Sequence, residues 1–518
     1  MLGRGGYHGL VGLLAVLGGC GGSSATAPEG GSDDTGAATP SATAADGSSG
    51  GVGDDASTDP DDGSGDDGDP AAPWDQGWRI PPSEQVPGDA DAGYWSMLNE
   101  GYVSCGIPFS LFGVAQGSLG SYANGDPLPG RTGPNAEVPY NWTVHLNEDG
   151  VEITSLNCLE CHAGEFNGEL VLGLGKADAD YTGAAGGALA NIAIPPLPVP
   201  GIEELMEMAA RYQSIGDDIR MYTVGSNPAD EIGVILGAHR DPDTLEWHDE
   251  LSYPIPDIVA PVDTPPWWRV AKKNGFFYNG MARGDHRGTM MFASSLCTDL
   301  VGEAEEILSY FNDINAYLRT IEPPTYPFAI DEALAVQGEG IFNRDCGACH
   351  GTYADDPAEE TYPNLLLPMS VIGTDPLVAA QAMDQPFVDW YNSSWYGELA
   401  PLVPNDPFSG YVAPPLDGIW ATAPFFHNGS VPDIWMVLDT TSRPTYWRRV
   451  DYDSTNFDEE TLGWPYLDVP YSWDDAPEDE QKHVFDTTKL GHFNTGHDFG
   501  DHLTIDERVA VIEYLKTI

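Results

Sequence analysis

The chain has 518 residues, with 81 acidic side chains against 21 basic ones and a formal net charge of -60. That balance argues against nucleic acid, whose phosphates would be repelled, and against charge-driven docking to an anionic membrane surface. The length suits two or three domains at roughly 150 residues each, and 41% apolar residues are enough for a core.

At the start of the chain, Arg4 gives a weakly positive end, an apolar run follows at 10–17, and Leu17-Gly18-Gly19-Cys20 reads as a lipoprotein cleavage box. The run is too short to span a bilayer as a helix. Residues 1–20 are therefore expected to be an export signal cleaved before Cys20, whose thiol takes the lipid. An ordinary signal peptide cleaved nearby is the alternative. The expected location is periplasmic or on the cell surface, as an outer-membrane lipoprotein. Residues 21–73 are, but for Val52, Gly, Ser, Ala, Thr, Pro and acidic residues with no Lys or Arg. Such a segment buries too little to offset its backbone entropy and is predicted to be a disordered acidic tether.

Two short runs carry the chemistry: Cys158-Leu159-Glu160-Cys161-His162 and Cys346-Gly347-Ala348-Cys349-His350. Each is a C-x-x-C-H haem-attachment signature. The two thiols bond to the porphyrin edge and the following histidine ligates the iron from below. The alternative, a redox or zinc C-x-x-C pair, would want a second Cys/His pair near each motif, and the chain has no further C-x-x-C.

The predicted elements frame these motifs with helices. A helix near 94–99 precedes the first motif. A long, Gly- and Pro-rich stretch follows at 178–299. Residues 303–319 then carry Ile307, Leu308, Phe311, Ile314 and Leu318 on one helical face. Pro323-Pro324 divides the chain. A helix at 331–342 runs into Cys346, and an amphipathic helix at 505–518 closes the sequence. The reading is a mainly α protein of two c-type cytochrome domains, 74–324 and 325–518, with long irregular loops and one covalent haem each. The two units look like diverged copies of one plan. Of seven cysteines, Cys20 goes to lipid and four go to haem. Cys105 and Cys297 remain, either as a disulfide in an oxidising compartment or as two buried thiols.

Pro265-Pro266-Trp267-Trp268-Arg269-Val270-Ala271-Lys272-Lys273, the run from Gly418 through His427-Asn428-Gly429 to Pro432, and Gly496-His497-Asp498-Phe499-Gly500 carry a likeness. From about Trp74 onward the chain resembles the diheme c-type cytochromes that include bacterial cytochrome c peroxidases, MauG-type oxidases and, closest, rubber oxygenases. The resemblance implies that the first haem, on His162, meets peroxide or dioxygen, and that the second, on His350, is a six-coordinate relay. It favours His497 as the second axial ligand of that relay. His492 competes by position, His483 and His502 are also in reach, and His427 is expected beside a haem propionate. In peroxidase relatives calcium lies between the haems, so calcium joins two haem c groups as a candidate cofactor.

On the distal side of the first haem, where rubber oxygenases keep a phenylalanine, this chain has Met281-Ala282-Arg283-Gly284-Asp285-His286. His286 either ligates the iron, or stands off as a general acid/base for O–O cleavage with Asp285 or Arg283 polarising the peroxide, or sits elsewhere in an ion pair. Trp267 and Trp268 are expected near the first haem or between the haems, where an indole could relay an electron. The alternative is ordinary aromatic core. The favoured activity is a peroxidase-like oxidoreductase, ahead of an electron carrier without turnover and a polymer dioxygenase. The expected partners are an electron-exchange protein or small molecule, basic if charge steers it, and peroxide or dioxygen.

Overall fold

Four helices with well-marked ends set the frame: α1 (Ala90–Asn99), α2 (Val301–Leu318), α3 (Glu332–Asp345) and α4 (Ile505–Leu515). Asp89 caps α1 by accepting the N–H groups of Asp91 and Ala92, and Asp331 does the same for α3 through Ala333 and Leu334. Thr504 and Glu507 form a reciprocal capping box on α4. In α2 the buried residues Ala304, Ile307, Phe311, Ile314 and Leu318 recur at helical spacing and face the core.

The helices cross in two pairs, α1 on α2 and α3 on α4. In each pair a glycine lets the backbones touch: a Cβ on Gly93 would strike the Asp313 carbonyl, and one on Gly338 the Ala510 carbonyl. An aromatic contact sits beside each crossing, Tyr94 on Tyr317 at 5.1 Å and Phe342 on Tyr514 at 5.3 Å between ring centres.

The expectation of a mainly α molecule built from two cytochrome domains is not met. Among the described residues helix accounts for 36% and strand for 13%, the strands lying in five small sheets, so the fold is mixed α/β. One sheet joins Ile107–Pro108, Glu152–Leu156 and Trp142–Leu146 and fills the chain between α1 and the first haem motif. A hairpin of Ala163–Phe166 and Glu169–Leu172 follows that motif directly. Another sheet brings Trp78–Arg79 onto Leu365–Pro368, which also pairs with Gly410–Val412. The strands are two to five residues long; Trp142–Leu146 alternates apolar and polar residues, yet Trp142, Thr143 and Val144 are all buried, so the alternation marks no solvent face.

This computed structural model describes residues 72–123, 125–183, 198–354, 356, 359–381 and 385–518. The expected export signal, the expected lipidation site Cys20 and the expected tether up to residue 71 lie outside the described residues. One compact unit runs from Pro70 to Ile518 and contains both C-x-x-C-H motifs. Cys105 and Cys297 are disulfide-bonded within it, with Cα atoms 5.6 Å apart, tying the strand region before the first motif to the turn that leads into α2. Among the described residues, no helix is long and apolar enough to cross a membrane.

Candidate haem-attachment sites

The first motif starts from a capped turn. Asn157 accepts the Leu159 N–H, the chain turns through Cys158–Glu160, and the His162 N–H returns to the Cys158 carbonyl at 3.2 Å. Cys158 and Cys161 are free thiols, as thioether formation requires. Tyr181 and Asn227 approach Cys161 Sγ at 3.6 Å each. Glu160, within the motif, is buried against Asn141 and lies 3.7 Å from the Lys176 ammonium; its burial raises the carboxyl pKa. The His162 ring stacks on Trp267 with centres 4.6 Å apart. The Pro265 carbonyl favours protonation of this imidazole, yet Nδ1 closes no hydrogen bond of standard geometry, and burial pulls the pKa down to about 3. His162 is thus neutral, the form in which imidazole binds iron.

The second motif continues straight from α3. Cys346 and Cys349 are free, and His350 Nδ1 donates to the Pro414 carbonyl at 2.9 Å, which fixes the tautomer and leaves Nε2 for a metal. The His497 ring lies opposite, 6.3 Å from the His350 ring between centres. Two imidazoles on one metal, with bonds of roughly 2 Å and about 1 Å from nitrogen to ring centre, would be spaced by about that distance. The pair therefore fits a six-coordinate iron. His497 sits at a φ of 48°, its N–H donating to the Ile372 carbonyl at 2.8 Å. Arg443 clamps the loop, giving bonds to the carbonyls of Asn494 at 2.6 Å and Gly496 at 2.7 Å, with its guanidinium over Phe426. Burial, with the neighbouring His350 and Arg443, lowers the His497 pKa to about 3.

The other expected site residues are placed as follows. His286 opens the short helix His286–Met291, is 2% exposed, and packs on Phe276 at 4.1 Å; the Asn274 carbonyl favours its protonation, but neither ring nitrogen closes a hydrogen bond of standard geometry. Burial and the nearby Arg319 lower its pKa to about 4. Asp285 and Arg283 are both engaged elsewhere. Asp285 caps that helix and pairs with Arg287, and Arg283 bonds the Gly280 and Asp406 carbonyls. Trp268 lies not on His162 but in the aromatic core with Trp420 and Phe342, its Nε1 without a partner. His427 stacks on Tyr411 at 4.2 Å, and its Nε2 is buried without a partner, free for an acceptor such as a propionate. His492 packs against Tyr222 and Phe485, and His483 hydrogen-bonds Tyr452. His502 lies 3.4 Å from Asp345. Among the described residues, the group of ligand atoms close enough to hold a metal ion is Cys105, Glu207 and Cys297, two of them the disulfide sulfurs.

Sequence reasoning missed a repeat that spans both sites. Residues 263–283 and 412–432 match position for position without a gap. Pro265-Pro266 answers Pro414-Pro415, and Phe276-Phe277-Tyr278-Asn279-Gly280 answers Phe425-Phe426-His427-Asn428-Gly429. The backbones agree as well. Arg269 and Gly418 have φ of 58° and 65°, Phe277 and Phe426 of 62° and 69°, and Gly280 and Gly429 of 64° and 67°. The turns Val270–Lys272 and Ile419–Ala421 correspond, and so do the bonds by which Asn279 and Asn428 accept the N–H of Met281 and Ser430. The signal in the sequence was the spacing from the Pro-Pro pair to Phe-Phe-x-Asn-Gly.

Comparison with known proteins bears on this segment. Residues 410–448 match the family described as "RoxA-like, cytochrome c-like". The chain is 27% identical over 325 residues to the uncharacterized protein y4iM of Sinorhizobium fredii, covering 54% of this chain and 70% of that one. It is 30% identical over 296 residues to the uncharacterized protein y4iJ of the same organism, covering 44% of this chain and 47% of that one, about half its length. The family match supports a rubber-oxygenase-like cytochrome c relation, and with it covalently bound haem c, iron binding and electron transfer.

Proposed function

We propose that the protein is an exported diheme c-type cytochrome with oxidoreductase activity of the cytochrome c peroxidase kind, the first haem meeting peroxide or dioxygen and the second relaying electrons. The observation that carries this reading is the difference between the two histidines: His350 faces a second imidazole, His497, whereas the ring contact of His162 is with Trp267. Bound haem c supplies a redox-active iron at each motif, its potential set by axial ligand and dielectric. The chain's own residues do the rest. Cys158, Cys161, Cys346 and Cys349 anchor the porphyrins, and the Pro414 carbonyl orients His350. His286, whose pKa burial lowers to about 4, is suited to take a proton from an incoming peroxide.

Export is supported by the Cys105–Cys297 disulfide, a bond that persists in oxidising compartments, and by the lipoprotein box ending at Cys20. The charge of -60 favours a basic electron-exchange partner. Electron paramagnetic resonance of the matured protein, with haem content from pyridine haemochrome absorption, tests the reading. The expectation is two haems per chain, one high-spin and one low-spin iron, and a response of the high-spin signal to hydrogen peroxide. Two low-spin signals indifferent to peroxide would leave an electron carrier.

A further inference from the structure

The repeated segments are tied to each other by a reciprocal pair of backbone hydrogen bonds. The Asp263 N–H donates to the His427 carbonyl at 2.7 Å, and the Val412 N–H donates to the Tyr278 carbonyl at 2.8 Å. Asp263 and Val412 occupy equivalent positions, as do Tyr278 and His427, so the contact is self-complementary in the manner of a two-fold interface. The Tyr278 and His427 rings meet edge to face at 6.1 Å between the two bonds. Each donor stands two residues before a proline beside a C-x-x-C-H histidine: the Pro414 carbonyl accepts from His350 Nδ1 at 2.9 Å, and the Pro265 carbonyl lies beside His162 without closing a hydrogen bond of standard geometry. Each acceptor lies in a tight loop held by the asparagine that follows it. Asn279 donates to the Val378 carbonyl, and Asn428 to those of Gly491 and Phe493.

We infer that Asn279 and Asn428 are positioning residues that act across the repeat: the Phe277–Gly280 loop of the first segment sets the hydrogen bond on His350, and the Phe426–Gly429 loop of the second sets the environment of His162. The path is short. Asn279 fixes the Tyr278 carbonyl, that carbonyl holds Val412, and Val412 holds the Pro414 carbonyl against His350 Nδ1. A carbonyl accepting from Nδ1 makes the imidazole a stronger donor to iron and favours the ferric state, so loosening it raises the potential of that iron. The arrangement makes the state of one haem pocket felt at the iron of the other without any ligand shared between them.

This inference rests on the diheme reading, and the experiment separates the two. Haem content of each matured variant is measured first; one haem or none per chain would remove the diheme reading itself. With two haems present, the midpoint potentials of both irons are followed by spectroelectrochemistry. Asn279→Ala, a lesion in the first segment, is expected to raise the potential of the bis-histidine iron and leave the first iron unmoved. A shift at the first iron alone, the result of a purely local role, would overturn the inference. Val412→Pro deletes the N–H that reaches Tyr278, on the open edge of its sheet where proline is tolerated. Val412→Ala keeps that N–H and serves as the control. The Asn279→Ala shift at the second iron is expected to vanish in the Val412→Pro background. Two shifts that simply add would count against the path. Should Val412→Pro not fold, the single Asn279→Ala measurement still decides.

Discussion

The two repeated segments, 263–283 and 412–432, share a backbone, while the histidines of the two C-x-x-C-H motifs differ in what meets them. Both use a Pro-Pro pair, a left-handed residue before a short turn, and a Phe-Phe-x-Asn-Gly loop. Around the second, a distant loop delivers His497 to face His350. Around the first, Trp267 covers His162, and His286 sits one helix start further along against Phe276. A repeated backbone plan thus lies beside each histidine, and the residues that distinguish the two surroundings, His497 and His286, lie outside the repeat.

The difference breaks most completely at His497. His497→Ala removes one of the two imidazoles proposed for the second iron, so that iron is expected to pass from low-spin to high-spin, with the first iron's signal unchanged and low-spin character restored by added imidazole. An unchanged spectrum would mean that another residue completes the second site. Next in size is His286→Phe. A general acid/base in proton transfer contributes about 10²–10⁴-fold, so peroxide turnover is expected to fall by that order while the first iron stays high-spin. If instead a low-spin first iron became high-spin on substitution, His286 would be a ligand, and the two sites would be alike where they are proposed to differ.

Much of this was legible in the sequence because covalent chemistry leaves local marks. Both C-x-x-C-H motifs, the helices around Leu98, Phe311, Phe342 and Val511, and the candidate ligand His497 could be named from spacing or resemblance. The β structure could not. Its strands are two to five residues long, and the two five-residue ones, Trp142–Leu146 and Glu152–Leu156, bury three residues in a row, so too few positions report a direction. The roles of Asp285 and Arg283 were also hidden, because a charged pair beside a histidine reads equally well as a peroxide pocket or as a helix cap with its salt bridge. The structure gives them to Arg287 and Asp406. Trp267 and Trp268 are adjacent in sequence and part in space, one to the His162 ring and one to the core around Trp420.

Smaller effects sharpen the contrast by stability rather than chemistry. The Cys105–Cys297 bond closes a long loop around the first site. Replacing both cysteines with serine is expected to cost about 2–5 kcal/mol of unfolding free energy, read by denaturant titration, with the second iron's spectrum unaltered. A cost near zero would show that the packing around Cys105 and Cys297 already holds that region.

The smallest expected effect concerns His492, which competed with His497 for the second iron. The residue is 1% exposed, neither ring nitrogen closes a hydrogen bond of standard geometry, and burial, against the Leu490 carbonyl, lowers its pKa from 6.5 to about 4. Between those values the unfolded chain holds a proton that the folded chain refuses, so stability is full above pH 6.5 and falls as the pH drops toward 4. The shift corresponds to a loss of about 3 kcal/mol at most. His492→Leu is expected to remove this share, so that the variant gains on the parent as the pH is lowered from 7 to 4.5 in urea titrations while the spin state of the second iron stays the same. Were His492 a ligand, ligation would depress its folded pKa further and the acid dependence would still follow the side chain, but the substitution would also change the spin state of the second iron.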